Sequence, residues 1–200
     1  MLDLSGRLVV IIGGGAVAAR KARGVVDAGA SKVRVVAPVI SDEVPASAER
    51  VREVYHRRFL EGAGLVFAAT DRADVNRAVV EDARAMGLWA NRADADEEGA
   101  SDFSTPAIMK SGGLVIAVSA GGSPALAAKV RDVLKPKLQP KWGEMAEAMK
   151  VLRPKVLAAG WDIETRRSVF RMLAEDEAME LLKGGGVEAV WAWVAGIHED

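Results

Sequence analysis

Residues 8–18 read Leu8-Val9-Val10-Ile11-Ile12-Gly13-Gly14-Gly15-Ala16-Val17-Ala18, and they decide the fold. The first five form an unbroken aliphatic run, the pattern of a strand buried on both faces of a parallel sheet. Gly13, Gly15 and Ala18 then fit the spacing G-x-G-x-x-G/A. In such a turn the first glycine permits a tight bend and the second lets the backbone approach a pyrophosphate. The small third residue lets the following helix pack closely on the strand. The phosphates sit at the helix N-terminus, where unpaired N–H groups and the helix dipole favour negative charge. Here the motif follows a predicted strand and opens a predicted helix over 17–28 that stops at Gly29, which is the context that gives it meaning.

Outward from this turn, short apolar strands alternate with helical stretches. Strands are expected at 33–37 (ended by Pro38), 51–56, 65–69, 88–91 and 114–119, with a helix over 74–86 that stops at Gly87. The alternation predicts an α/β fold whose N-terminal part is a Rossmann-like parallel sheet. After Pro136 and Pro140 the chain reads as wholly helical from Trp142, punctuated by Gly160 and by Gly184-Gly185-Gly186. The expected organisation is a nucleotide-binding domain over 1–112, a dimerisation segment over 113–140 and a small helical domain over 141–200. One feature of a typical NAD site is absent. No acidic residue ends the second strand, where one usually holds the ribose hydroxyls, and the nearest is Asp42. No arginine follows that strand immediately, so nothing favours NADP either.

Composition narrows the chemistry. Half of the 200 residues are apolar and 28% are charged, enough to bury a core. The net charge of −1 argues against a dedicated nucleic-acid binder. No apolar stretch is long enough to span a membrane, and Met1 to Gly6 lacks a signal-peptide layout. With no cysteine and only His56 and His198, thiolate chemistry and a histidine-rich metal site are excluded, and no resident metal is expected. A cytoplasmic location fits the absence of cysteine.

Further segments join the glycine turn in a specific pattern: Ala19-Arg20-Lys21, Ala68-Ala69-Thr70-Asp71 with Val75-Asn76, and Asn91-Arg92-Ala93-Asp94. Ser101-Asp102-Phe103-Ser104-Thr105-Pro106-Ala107 and Ile116-Ala117-Val118-Ser119-Ala120-Gly121-Gly122-Ser123-Pro124-Ala125-Leu126-Ala127 complete it. Together, over residues 8–131, they resemble the precorrin-2 dehydrogenase/sirohydrochlorin ferrochelatase family, the N-terminal module of siroheme synthases. The resemblance implies NAD-dependent oxidation of precorrin-2 to sirohydrochlorin. Some members also insert ferrous iron, as a substrate, to give siroheme. It also implies a homodimer built through the central segment. The methyltransferase of the longer fused enzymes has no room in 200 residues.

By the same resemblance, Gly13, Gly15, Ala16, Val17, Pro38, Val39, Thr70 and Asp71 line the cofactor site. Asp94, in Asn91-x-x-Asp94, is the catalytic carboxylate. The interval from Asn91 to Phe103 is two residues longer than in typical relatives, which leaves Asp96 as the second choice. Ser119, Gly121 and Gly122 are expected at the tetrapyrrole. Relatives with a serine at the position of Ala120 carry a hydroxyl that this chain lacks.

Each of these has a plainer reading beside it. Glu97 and Glu98 are expected to face water as an ordinary charge run. Ten Lys/Arg against five Asp/Glu between residues 129 and 167 mark either a solvated face or, through Lys129 and Arg131, a surface for substrate carboxylates. Trp142, Trp161, Trp191 and Trp193 are expected to serve core or interface packing more than stacking on a macrocycle. His56 is expected on a surface strand and His198 in a frayed terminus. Two other functions use the same scaffold: a non-catalytic tetrapyrrole carrier or nucleotide-sensing regulator, and an unrelated NAD-dependent oxidoreductase. Neither needs the Asn91-x-x-Asp94 and Gly121-Gly122-Ser123-Pro124 segments.

Overall fold

The computed structural model describes residues 2–93 and 101–197, which divide into two compact units between Thr105 and Pro106. In the first unit β1 (Leu8–Ile12), β2 (Lys32–Val36), β3 (Glu49–Val51), β4 (Ala63–Ala68) and β5 (Trp89–Arg92) form a five-stranded sheet of order β3-β2-β1-β4-β5. Every pair in it is parallel. Helices α1 (Ala16–Asp27) and α2 (Ala73–Ala85) follow β1 and β4. This is the Rossmann-like α/β sheet anticipated from the glycine turn.

The unbroken apolar run of β1 follows from its central position. Val9 and Ile11 pack with Ala18, Ala19, Ala22 and Val25 of α1, whereas Val10 and Ile12 pack with Val79, Val80 and Ala83 of α2. Successive side chains point to opposite faces, and both faces are covered, so no position tolerates a polar group.

The third strand is shorter than expected and displaced. It ends at Val51, the last residue that pairs with β2, and residues 52–56 leave the sheet. Tyr55 donates its hydroxyl to Asp82 Oδ2 on α2 at 2.8 Å, and Phe59 and Leu60 close the apolar face from a 3-10 turn. Burial, with that hydrogen bond, pushes the Tyr55 hydroxyl above its ordinary range. His56 is exposed, but it lies in this connection and not in a strand.

In the second unit β6 (Ala107–Ser111) pairs antiparallel with β7 (Leu114–Val118). The mixed sequence of β6, Ala107-Ile108-Met109-Lys110-Ser111, carries too weak an alternation to have been assigned from sequence. Helices α3 (Pro124–Leu134), α4 (Pro140–Ala158), α5 (Ile163–Met172) and α6 (Asp176–Ile197) complete the unit. Leu152, Val156, Val169, Leu173, Ala178, Val190 and Val194 form its core, with α6 bent at Gly186. Trp161, Trp191 and Trp193 pack against that core, the rings of Trp161 and Trp191 stacking at 5.9 Å, whereas Trp142 is exposed. Among the described residues no helix is long and apolar enough to cross a membrane.

Candidate functional site

The strand order reverses beside β1: the chain runs from β1 through β2 to β3, then returns to place β4 on the other side. Open parallel sheets bind ligands in the crevice at the carboxyl ends of strands at such a switch point. Three connections converge there. After β1, Gly13 takes φ +129°, and a Cβ on it would fall 2.2 Å from the carbonyl oxygen of Ala69. A Cβ on Gly14 would fall 1.9 Å from the carbonyl oxygen of Val39, and Ser41 N–H donates to the Gly14 carbonyl at 2.8 Å. The turn is thus wedged between the ends of β2 and β4, and both positions demand glycine.

Gly15 is different. A Cβ there would meet nothing within 4 Å. It is the N-cap of α1, with no side-chain cap and no acidic residue in the first turn, and Ala16 and Val17 beside it are exposed. The N-terminus of a 12-residue helix therefore opens onto unfilled space, with no acidic residue in its own first turn to repel an anion. These features fit a dinucleotide's pyrophosphate. The side chains of Pro38 and Val39 stand exposed past β2. Arg23 pairs with Glu43 at 3.3 Å and Arg50 with Asp42 at 3.9 Å, whereas Arg52, directly after β3, is exposed.

Past β4, Asp71 is exposed and Thr70 half-buried. Sequence reading placed Thr70 at the cofactor but gave no role to Asn76, which is fully buried and makes three hydrogen bonds with Thr70. A signal existed: Asn76 falls in the buried helical stripe with Val79, Val80 and Ala83, where an amide needs a partner.

Asp94, Asp96, Glu97 and Glu98 lie outside the described residues, as does His198. The chain on either side of that segment is well anchored. Ala93 N–H donates to the Ala68 carbonyl at 2.9 Å, carrying the β4–β5 ladder one residue further. On the return, Ser101 and Asp102 cover the outer edge of β5. The Asp102 carboxylate accepts from Ala90 N–H at 2.9 Å, and Asp102 N–H donates to the Ala90 carbonyl at 2.8 Å. Ser101 Oγ accepts from Arg92 N–H at 2.8 Å, and buried Asn91 donates Nδ2 to the Phe103 carbonyl at 2.8 Å. Phe103 meets Phe67 edge-on at 5.4 Å, and Lys21 donates to Thr105 Oγ1 at 2.8 Å. Burial pushes the Lys21 ammonium below its ordinary range, and Arg20 adds to the shift.

Asp102 also pairs with Arg84 at 2.8 Å. Burial would raise its carboxyl, but the Ala90 N–H and Arg84 outweigh that and hold it below the usual carboxylate range. Its stabilising contribution is therefore complete above the ordinary pKa of about 4 and is lost as pH falls through its own lower value. Asp102→Ala should cost about 1–3 kcal/mol near neutral pH by leaving Ala90 N–H without its acceptor. Thermal melts of the two proteins should converge as the pH drops below about 4. A gap that widened on acidification would contradict this.

In the second unit, Ser119, Gly121 and Gly122 are exposed on the turn between β7 and α3. Ser123 caps α3 by accepting from Leu126 N–H at 3.3 Å. Lys129 is exposed, whereas Arg131 is half-buried and paired with Asp132 at 2.7 Å. Part of the basic excess is neutralised within the unit, Lys141 by Asp176 at 2.7 Å and Lys155 by Glu188 at 2.8 Å. Among the described residues no cluster of His, Asp or Glu has the makings of a metal site.

Residues 1–107 match a protein family described as "Putative NAD(P)-binding". The siroheme synthase of Chromobacterium violaceum (strain ATCC 12472) is 36% identical over 197 residues, which are 96% of this chain and 41% of that protein. The siroheme synthase of Pseudomonas putida (strain W619) is 37% identical over 193 residues, 93% of this chain and 41% of that one. The chain thus spans about two-fifths of the length of these curated relatives. Among solved structures, "SirC, precorrin-2 dehydrogenase" shares the fold with a TM-score of 0.75 at 22% identity, over 98% of each chain.

Proposed function

Since the chain belongs to the family described as "Putative NAD(P)-binding", matched over residues 1–107, we propose that it is an NAD-dependent precorrin-2 dehydrogenase. The observation that carries the cofactor half of this reading is the open, uncapped N-terminus of α1 at Gly15, wedged at the switch point of the sheet. The substrate half rests on the siroheme synthases that match along nearly the whole chain. NAD is proposed over NADP on the family resemblance; at the end of β2 Arg23 and Arg50 are paired with carboxylates, and Arg52, just past β3, is exposed.

Oxidation of precorrin-2 to sirohydrochlorin removes a hydride and a proton. NAD bound at this site would supply the hydride acceptor. The protein's part is to place the reacting carbon and to take the proton. We assign the proton to Asp94, with Asp96 as the second choice, because the chain enters that segment from the carboxyl end of β5. A carboxylate partly desolvated by a flat macrocycle has its pKa raised toward the operating pH, which suits a base. Gly15, Ala16 and Val17 would hold the pyrophosphate at the α1 terminus, with Pro38, Val39, Thr70 and Asp71 lining the rest of the cofactor site. Ser119, Gly121, Gly122, Lys129 and Arg131 are assigned to the tetrapyrrole and its carboxylates.

The decisive experiment is anaerobic incubation with precorrin-2 and NAD, then with ferrous iron, with absorbance spectra at each stage. Sirohydrochlorin should appear only when NAD is present. A protein that binds the tetrapyrrole without forming NADH is a carrier, and the proposal then fails. Conversion of sirohydrochlorin to siroheme on adding iron would extend the activity to chelation.

The same reading includes a homodimer built through β6, β7 and α3, where Ile108, Val115, Leu126, Val130 and Val133 are exposed. Apolar side chains at this density on a two-stranded sheet and one helix suit an isologous interface. Sedimentation at micromolar concentration should show a dimer, and Val115→Glu should shift it toward monomer. A fully active monomeric wild type would exclude an active site shared between copies.

A further inference from the structure

The Asn76 amide is fully buried on α2, and its hydrogen bonds converge on one residue. Its Oδ1 accepts from the Thr70 N–H at 3.0 Å and from the Thr70 hydroxyl at 2.7 Å, and its Nδ2 donates to the Thr70 carbonyl at 3.0 Å. The hydroxyl oxygen in turn accepts from Arg72 N–H at 3.1 Å. The hydroxyl's one proton has two acceptors inside the corner, Asn76 Oδ1 at 2.7 Å and the Arg72 carbonyl at 3.1 Å, so no donor is left for a ligand. The same corner abuts the glycine turn: Ala69 N–H donates to the Ile12 carbonyl at 2.7 Å, and the Ala69 carbonyl fills the space where a Gly13 side chain would be. Where residues 69–71 stand therefore sets one wall of the crevice.

A dinucleotide on such a sheet lays its adenosine half toward the end of the strand after the glycine turn, here β2. Its nicotinamide half must then cross to the opposite side of β1, over the end of β4 and this corner. We propose that Asn76 is a positioning residue for the nicotinamide half of the cofactor. Through its three hydrogen bonds it fixes the 69–71 corner, and contact with the ligand there falls to the backbone and not to the Thr70 hydroxyl. The inference rests on the cofactor reading above and names the residue that gives that site its shape on one side.

Calorimetric titration of the full chain with NAD and with ADP, which lacks the nicotinamide half, separates this role from general stabilisation. Asn76→Ala should weaken NAD about tenfold, the scale of leaving a buried group unpaired, while ADP affinity stays within about twofold. Asn76→Asp, which still accepts from the Thr70 N–H and hydroxyl, should recover part of the loss. Thr70→Val removes one arm of the clamp and should also weaken NAD selectively. Adding it to Asn76→Ala should cost little more, because both disable one unit. If Asn76→Ala does not fold, the Thr70→Val titration decides alone. Equal weakening of NAD and ADP, or unchanged NAD affinity in a folded variant, overturns the positioning role and leaves the cofactor site intact. A wild-type protein that binds neither ligand overturns the cofactor reading itself.

Discussion

Gly15→Asp should abolish dinucleotide binding in a protein that remains fully folded. The two halves of this result have separate physical causes. A Cβ at Gly15 meets nothing within 4 Å, so the branch point disturbs no packing. The residue is the N-cap of α1 and has no side-chain cap, and aspartate is a favoured N-cap, so the melting temperature should hold or rise slightly. Yet the carboxylate would take the place, and repel the charge, of a pyrophosphate held by the same helix terminus. Gly14→Ala should instead lose stability. Its Cβ would fall 1.9 Å from the Val39 carbonyl oxygen, so the turn must move. The cost should exceed the roughly 1–3 kcal/mol of ordinary overpacking because the neighbour is backbone. Measuring melting temperature and NAD affinity on both variants checks the pair. A Gly15→Asp protein that binds NAD as wild type does would remove the helix terminus from the mechanism.

Asp94→Ala should lower turnover by about 10²–10⁴-fold, the usual contribution of a general base, or about 3–5 kcal/mol of barrier. NAD affinity and assembly should be unchanged, since the groups assigned to the cofactor lie on other connections. Asp94→Asn should be nearly as harmful, because it keeps the shape but cannot accept the proton. Asp96→Ala settles the register introduced by the longer interval. An inactive Asp96→Ala with an active Asp94→Ala transfers the role to Asp96. Normal turnover in both would mean that neither carboxylate is the base.

The parts of this fold that were legible in the sequence are those decided locally. The aliphatic run of β1, the glycine spacing after it and the alternation that follows are each written within a few residues, and the sheet's parallel order follows from them. β3 was misplaced because residues 52–56 are as apolar and β-branched as the true strand in places; their exit from the sheet depends on Tyr55 finding Asp82 on α2. β6 escaped notice because a mixed five-residue stretch becomes a strand only by pairing with β7. The same distinction runs through the candidate site. Gly13 and Gly15 follow β1 where the glycine spacing puts them, whereas Pro38 and Thr70, at the ends of β2 and β4, came only from the family resemblance. The roles of Asn76, Asn91, Ser101 and Asp102 consist of hydrogen bonds to backbone groups of other segments, and a side chain that completes the edge of β5 leaves no periodic trace.

In the proposed reaction, hydride leaves precorrin-2 for a dinucleotide held at the α1 terminus. Its most direct measurement is the stoichiometry of NADH and sirohydrochlorin formed together under anaerobic conditions, in wild type and in Gly15→Asp. Wild type should form one NADH for each sirohydrochlorin, and the variant neither product above background. Sirohydrochlorin formed without NADH, or formed equally by Gly15→Asp, would contradict that reaction.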